Sequence, residues 1–199
     1  MRDVHGRSAE VTEALRGCRD EEPEAFDRLV TLLYADLRRL ARGQLRRLRP
    51  GQTLDTTSLV NELYLKLAGA DPLFLDRQHF LSASARAMRH ILVNTARRKL
   101  TAKRGGGQRA ETLDDQVAAA DRLHDERVVA VSAALDRLQD FDARMCTVVE
   151  CRFFAGMTEE ETGEALGVSA RTVRRDWLRA KAWLSEELAA KESAGPSGG

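Results

Sequence analysis

Aromatic side chains are scarce in this chain, at 5% of 199 residues, so recognition by ring stacking has few groups to draw on. Cysteine is scarcer still. Cys18, Cys146 and Cys151 are odd in number, widely split and without a CxxC pair, a pattern that predicts small buried thiols. The alternative, a zinc site from Cys146, Cys151 and His124, lacks a fourth ligand at any usual spacing. No metal and no cofactor is expected. No apolar run approaches a membrane span, and the opening MRDVHGRSAEV has no hydrophobic signal region. A cytoplasmic protein without a membrane partner is therefore expected. Strand-like alternation and internal repeats are missing as well. The glycines of AKRGGGQR lack the glycine–lysine–Ser/Thr ending that grips phosphate and magnesium. The four histidines are scattered, and the acidic run 159–161 suits the first turn of a helix. An enzyme is not expected.

What is present is a globular composition, 43% apolar and 32% charged, enough for one or two small domains. The net charge of +1 averages over blocks of opposite sign. Residues 77–110 hold nine Lys/Arg and no Asp or Glu, and residues 111–126 hold six acidic residues against one arginine. Such asymmetry points to a polyanion-facing surface beside an acidic connector.

Helical periodicity accounts for the rest of the chain. Residues 1–8 are expected to fray, with Val11 and Leu15 opening a short amphipathic piece. After Pro23, the apolar stripe Phe26, Leu29, Val30, Leu33, Tyr34, Leu37, Leu40 and Ala41 predicts a long helix with arginines crowding its far end. Pro50 and Gly51 break it. Asp55 or Thr56 caps a helix with Leu59, Val60, Leu63 and Leu67 inward, closed by Gly69. A further helix is expected from about residue 78 to 99. Plotted at 100° per residue, Phe80, Ser84, Ala87, Met88, Ile91 and Thr95 form its apolar seam. Arg86, Arg89, His90 and Arg97 fall opposite, as an outward stripe suited to nucleic-acid backbone. The stretch 105–125 reads as a flexible glycine-rich and acidic tether. Beyond it, Val128, Val131, Leu135 and Leu138 mark one helix. Asp142 caps the next, in which Met145, Val148, Val149 and Phe153 line up until Gly156. The tail 191–199 is expected to be disordered. The fold class is all-α: two helical domains, 1–104 and 126–190, joined by a flexible linker.

The second domain ends in a helix-turn-helix. Thr158 with Glu161 has capping-box spacing, Gly167 ends the first helix, and Ser169 caps the second. Val173, Trp177, Ala180, Leu184 and Leu188 form one buried stripe. Arg171, Thr172, Arg174 and Arg175 fall off it near the amino end, where a major-groove helix meets bases and phosphates.

The order of these pieces resembles the extracytoplasmic-function sigma factors of bacterial RNA polymerase, over about residues 10–190. LVNELYLKL is similar to that family's polymerase-binding helix, and HFLSASARAMRHILVNTARRK to its promoter-melting helices. VVECRFFAGMTEEETGEALGVSARTVRRDWLRAKAWL is similar to its carboxy-terminal module. The resemblance implies core RNA polymerase (its beta-prime coiled coil and beta flap) and promoter DNA as partners. It implies polymerase contacts at Asp55, Leu59, Asn61 and Glu62, and minus-ten contacts at Arg86, Arg89, His90, Arg97 and Arg98. Minus-thirty-five contacts would fall at Ser169, Arg171, Thr172, Arg174 and Arg175. A loop pocket around residues 70–79 would take part in strand opening, with Phe74, His79 and Phe80 the aromatics nearby. The alternative is a two-domain helix-turn-helix regulator that binds duplex DNA without polymerase. One stretch departs from the family: its acidic run is here Asp55-Thr56-Thr57-Ser58, with Thr57 and Ser58 in place of two carboxylates. Phosphorylation of Thr56, Thr57 or Ser58 by a Ser/Thr kinase would restore that charge; the other expected means of control is an anti-sigma factor.

Overall fold

The computed structural model describes residues 4–48, 55–69, 74–103 and 113–193, and among these every regular element is helical. The helices are α1 (Val4–Arg19), α2 (Ala25–Leu48), α3 (Thr56–Ala68), α4 (Arg77–Lys103), α5 (Leu113–Phe141), α6 (Ala143–Val149), α7 (Glu159–Leu166) and α8 (Ala170–Ser193), with a π-turn (Glu150–Phe154) between α6 and α7. Helix starts follow local chemistry. Asp55 accepts from the Ser58 N–H at 2.7 Å and Asp142 from the Met145 N–H at 3.0 Å, so each satisfies an otherwise unpaired first-turn donor. Gly156, at φ 68°, takes the left-handed conformation that turns the chain out of the π-turn.

In the first half, α1 lays Val11, Ala14 and Leu15 on α2, whose Leu29, Leu33, Leu37, Leu40 and Ala41 face inward. α3 adds Leu59, Val60, Leu63 and Leu67, and Tyr64 donates to Asp27 on α2 at 2.7 Å. Each fully buried Leu or Phe contributes about 1.5–3 kcal/mol relative to an exposed one. Three expectations shift here. The frayed start is helical from Val4, and residues 113–125 of the expected tether form the first turns of α5. The tail expected to be disordered from residue 191 instead continues α8 through Ser193; the rest of it, and of the tether, lies outside the described residues.

α4 packs on α2 and α3 with one side and on α5 and the π-turn with the other. Buried residues consequently run all round it: Leu81, Ala85, Leu92 and Val93 as well as Phe80, Met88 and Ile91. A helix buried on both sides has no single apolar stripe. One contiguous apolar cluster then takes in Leu33, Met88, Leu135, Cys151 and Ala180 alike.

The π-turn corrects a register. The expected line Met145, Val148, Val149, Phe153 assumes an uninterrupted α-helix. The wider turn, closed by Ala155 N–H donating to Glu150 O at 2.8 Å, inserts an extra residue. Phe154 is buried instead, and Phe153 is exposed.

Candidate nucleic-acid interface

Residues 158–193 build the first surface. Thr158 accepts from the Glu161 N–H at 3.1 Å while the Glu161 carboxylate accepts from the Thr158 N–H at 2.8 Å, a closed capping box. α7 ends at Gly167, φ 64°, and the Val168 N–H donates back to Gly163 O at 2.9 Å. A Cβ on Gly163 would stand 2.6 Å from Val168 O, so only glycine lets the turn fold this tightly onto α7. Ser169 Oγ then accepts from the Thr172 N–H at 3.2 Å and caps α8.

α8 is seated by Val173 and Ala180, both fully buried, with Trp177 and Leu184 partly so. Asp176, also fully buried, was missed. Arg144 Nε on α6 donates to it at 2.8 Å, which fixes the height and rotation of α8. Its spacing was readable: Asp176 lies three residues after Val173 and four before Ala180, on the buried stripe itself.

With that face inward, Arg171, Arg174 and Arg175 stand exposed at the amino end of α8. Ser169 and Thr172 are engaged with each other, their hydroxyls 3.0 Å apart. Arg174 is tethered: its Nε and Nη2 lie 3.0 and 2.8 Å from one oxygen of Glu159 on α7. That hydrogen bond holds the Glu159 carboxyl below the usual carboxylate range. Three cations on one helix end, with the opposite face locked into the core, form a surface suited to a polyanion.

The α4 surface differs from expectation. Arg97 and Arg98 are exposed near its carboxyl end. Arg89, expected to face outward, is 3% exposed. It donates to Ser132 Oγ on α5 at 2.8 Å and lies 3.3 Å from Glu150 Oε1. Arg86 is half-buried, with Nε on the same Glu150 oxygen at 2.9 Å and Nη2 on Gln139 at 2.7 Å. His90 is partly covered, and burial, then the Arg89 charge, push its pKa below the ordinary imidazole value. The outward stripe Arg86–Arg89–His90 is therefore corrected: Arg89 is internal, and Arg86 and His90 are half-buried. The physical reason is that α5 and the π-turn cover this side of α4, and sequence periodicity cannot see a covering element. Glu150, which receives both arginines while itself 2% exposed, was missed as well.

The loop aromatics divide similarly. Phe74 and Phe80 are buried and meet edge to face at 4.8 Å; His79 is exposed and accepts from the Leu75 N–H at 3.1 Å. Residues 70–73 of the expected loop pocket lie outside the described residues.

On α3, Asp55, Thr57 and Asn61 are exposed, and Thr56, Ser58 and Glu62 half-buried. Leu59 is fully buried in the core, so its expected polymerase contact is corrected: the inward stripe that holds α3 down includes it. Of the thiols, Cys146 and Cys151 are buried as expected and Cys18 is half-buried. Cys146 Sγ donates to Leu135 O at 3.4 Å and Cys151 Sγ to Ser82 Oγ at 3.5 Å; burial pushes the Cys146 thiol up to about 11. Among the described residues no helix is long and apolar enough to cross a membrane.

A cationic helix end beside a rigid turn, in a chain whose described elements are all helical, is a surface that a polyanion can meet. Residues 8–190 match the family described as ECF sigma factor, nearly the whole chain, and the chain belongs to that family. Sigma factors act in transcription initiation with RNA polymerase and are not a family of enzymes. No curated protein and no solved structure matches the chain.

Proposed function

We propose that this chain directs core RNA polymerase to specific promoters through two modules. Residues 126–190 act as a helix-turn-helix module that meets the minus-thirty-five element, and residues 1–104 bind polymerase and the minus-ten element. The observation that carries the reading is the α7–turn–α8 unit, with both helices capped, a left-handed glycine between them, and Arg171, Arg174 and Arg175 exposed. Guanidinium groups at a helix amino end can reach phosphates or the O6/N7 pair of guanine. Polymerase contacts are proposed for Asp55, Asn61 and Glu62. Minus-ten contacts are proposed for the exposed Arg97 and Arg98, and for Arg86, Arg89 and His90 once uncovered. Polymerase supplies the chemistry, and a cytoplasmic location follows from that partnership.

Control by phosphorylation at Thr56, Thr57 or Ser58 belongs to the same proposal. A phosphate there adds about −1.5 to −2 charge and sits at a helix amino terminus, where the dipole favours an anion. An anti-sigma partner is the other proposed means of control. Co-purification with bacterial core RNA polymerase tests the reading. Retention of the wild-type chain, weakened by Asn61→Ala with Glu62→Ala, supports it; no retention, with tight duplex binding by the free chain, contradicts it.

A further inference from the structure

The face of α4 that would contact melted DNA is already occupied, and its occupant is the same chain. Arg86 and Arg89 converge on Glu150 Oε1, at 2.9 and 3.3 Å. Arg89 also reaches Ser132 Oγ at 2.8 Å and Asp136 at 3.6 Å, while its guanidinium lies 5.9 Å from the Phe154 ring centre. Arg86 adds Gln139 at 2.7 Å. Within α4 itself, Arg89 Nη2 also lies 3.3 Å from His90 Nε2. The other partners come from residues 132–154 and are oxygen acceptors or an aromatic face. Those are the groups that a nucleic acid offers an arginine: phosphate oxygens and base rings.

We propose that residues 132–154 are an intramolecular stand-in for DNA, in which the Glu150 carboxylate fills the place of a backbone phosphate, and that this clasp must open before α4 engages a promoter strand. The inference rests on the proposed role of α4 in strand contact. Two features suit a contact that exchanges rather than one that is permanent. Glu150 belongs to the π-turn, an inserted-residue distortion that recurs at functional sites. Arg89 Nε is buried without a hydrogen-bond partner, so the closed state leaves one of its donors unmet. A buried ion pair repays much of its attraction as desolvation, and a phosphate can replace the carboxylate on like terms. The rim is accessible as well: a cleft of about 350 Å³ opens beside the clasp, lined by Lys66, His79, Arg86, His90 and Glu150.

The clasp supplies its own test. Ser82 on α4 lies 3.5 Å, Oγ to Sγ, from Cys151 in the π-turn. Ser82→Cys therefore sets two thiols side by side across it, and diamide oxidation followed by removal of the oxidant staples it shut. Initiation is read as discrete transcript 5′ ends from a genomic template with bacterial core polymerase. The reduced variant is expected to match wild type, the oxidised variant to lose at least tenfold of its initiation, and dithiothreitol to restore it; wild type treated alike should be unaffected. A cross-linked variant that initiates as well as its reduced form overturns the proposal, and so does a failure of the two thiols to cross-link. If wild type and reduced variant both fail to initiate, the sigma reading falls and takes the proposal with it. Glu150→Gln, its fold checked by thermal melting, works in the other direction: the free protein should bind random-sequence single-stranded DNA about tenfold more tightly, and unchanged affinity contradicts the clasp.

Discussion

Arg174 gives up two N–H groups to one oxygen of Glu159 and still keeps donors on the edge formed by Nη1 and Nη2. Glu159 thus fixes the direction of that guanidinium in the free protein. Arg171 is exposed without such a tether, and a bidentate contact from it to guanine is worth about 1–3 kcal/mol of discrimination. Arg171→Ala should relax preference at one base pair by that amount; uniform weakening on every sequence, with a flatter salt dependence, would mark a phosphate contact instead. If alanine at Arg171, Thr172, Arg174 and Arg175 together leaves promoter binding unchanged, α8 is not the reading helix. Leu59 and Glu62 separate core from surface on α3. Leu59→Ala should lower stability by about 2–5 kcal/mol in a denaturant melt, and Glu62→Ala by no more than about 0.5, with its effect in polymerase affinity. A surface-like cost for Leu59→Ala would show that it is not core.

At the scale of elements, α3 and α4 carry the predictions. Thr57 is exposed in the first turn of α3, and the Ser58 N–H is held by Asp55, so acidic side chains fit there without disturbing the cap. Thr57→Glu with Ser58→Asp should raise core-polymerase affinity, and alanines at both should block kinase-dependent activation. Equal affinity of wild type and the acidic variant, with no phosphate on Thr56, Thr57 or Ser58 in cells, removes the idea. On α4, His90 faces Arg89, Arg86, Lys66 and Asp136, and burial favours its neutral form. A base whose pKa is lowered on folding adds stability in full above its unfolded value, about 6.5, and loses it as pH falls through the folded value. The His90 ring signals should therefore titrate below about 6.5, and acidification from neutrality should cost wild type more stability than His90→Gln. A midpoint at or above 6.5 would show the clasp open. The elements differ in how far their sequence reveals them. Thr158, Asp55, Asp142, Gly167 and Ser169 were legible as caps because capping is a contact over three or four residues. The covering of α4 was not, because a helical wheel registers one buried face and α4 has two. The mark of the second face is Leu81, Ala85, Leu92 and Val93, apolar residues off the seam of Phe80, Met88 and Ile91. The π-turn left no mark in the periodicity until its extra residue exchanged Phe153 for Phe154.

Across the whole molecule, the two ends of the chain share one apolar cluster, and charges pair across elements: Arg86 and Arg89 with the buried Glu150, and Arg144 of α6 with the buried Asp176 of α8. The family match spans both ends, so a role in initiation belongs to the chain as a unit. The most direct test is transcription from a genomic template by bacterial core RNA polymerase, with and without this protein. The account predicts discrete transcript 5′ ends that appear only when it is added and that fall away when Arg171, Arg174 and Arg175 are changed to alanine. Transcripts no different from those of core polymerase alone, while the free protein binds duplex DNA tightly, would contradict it.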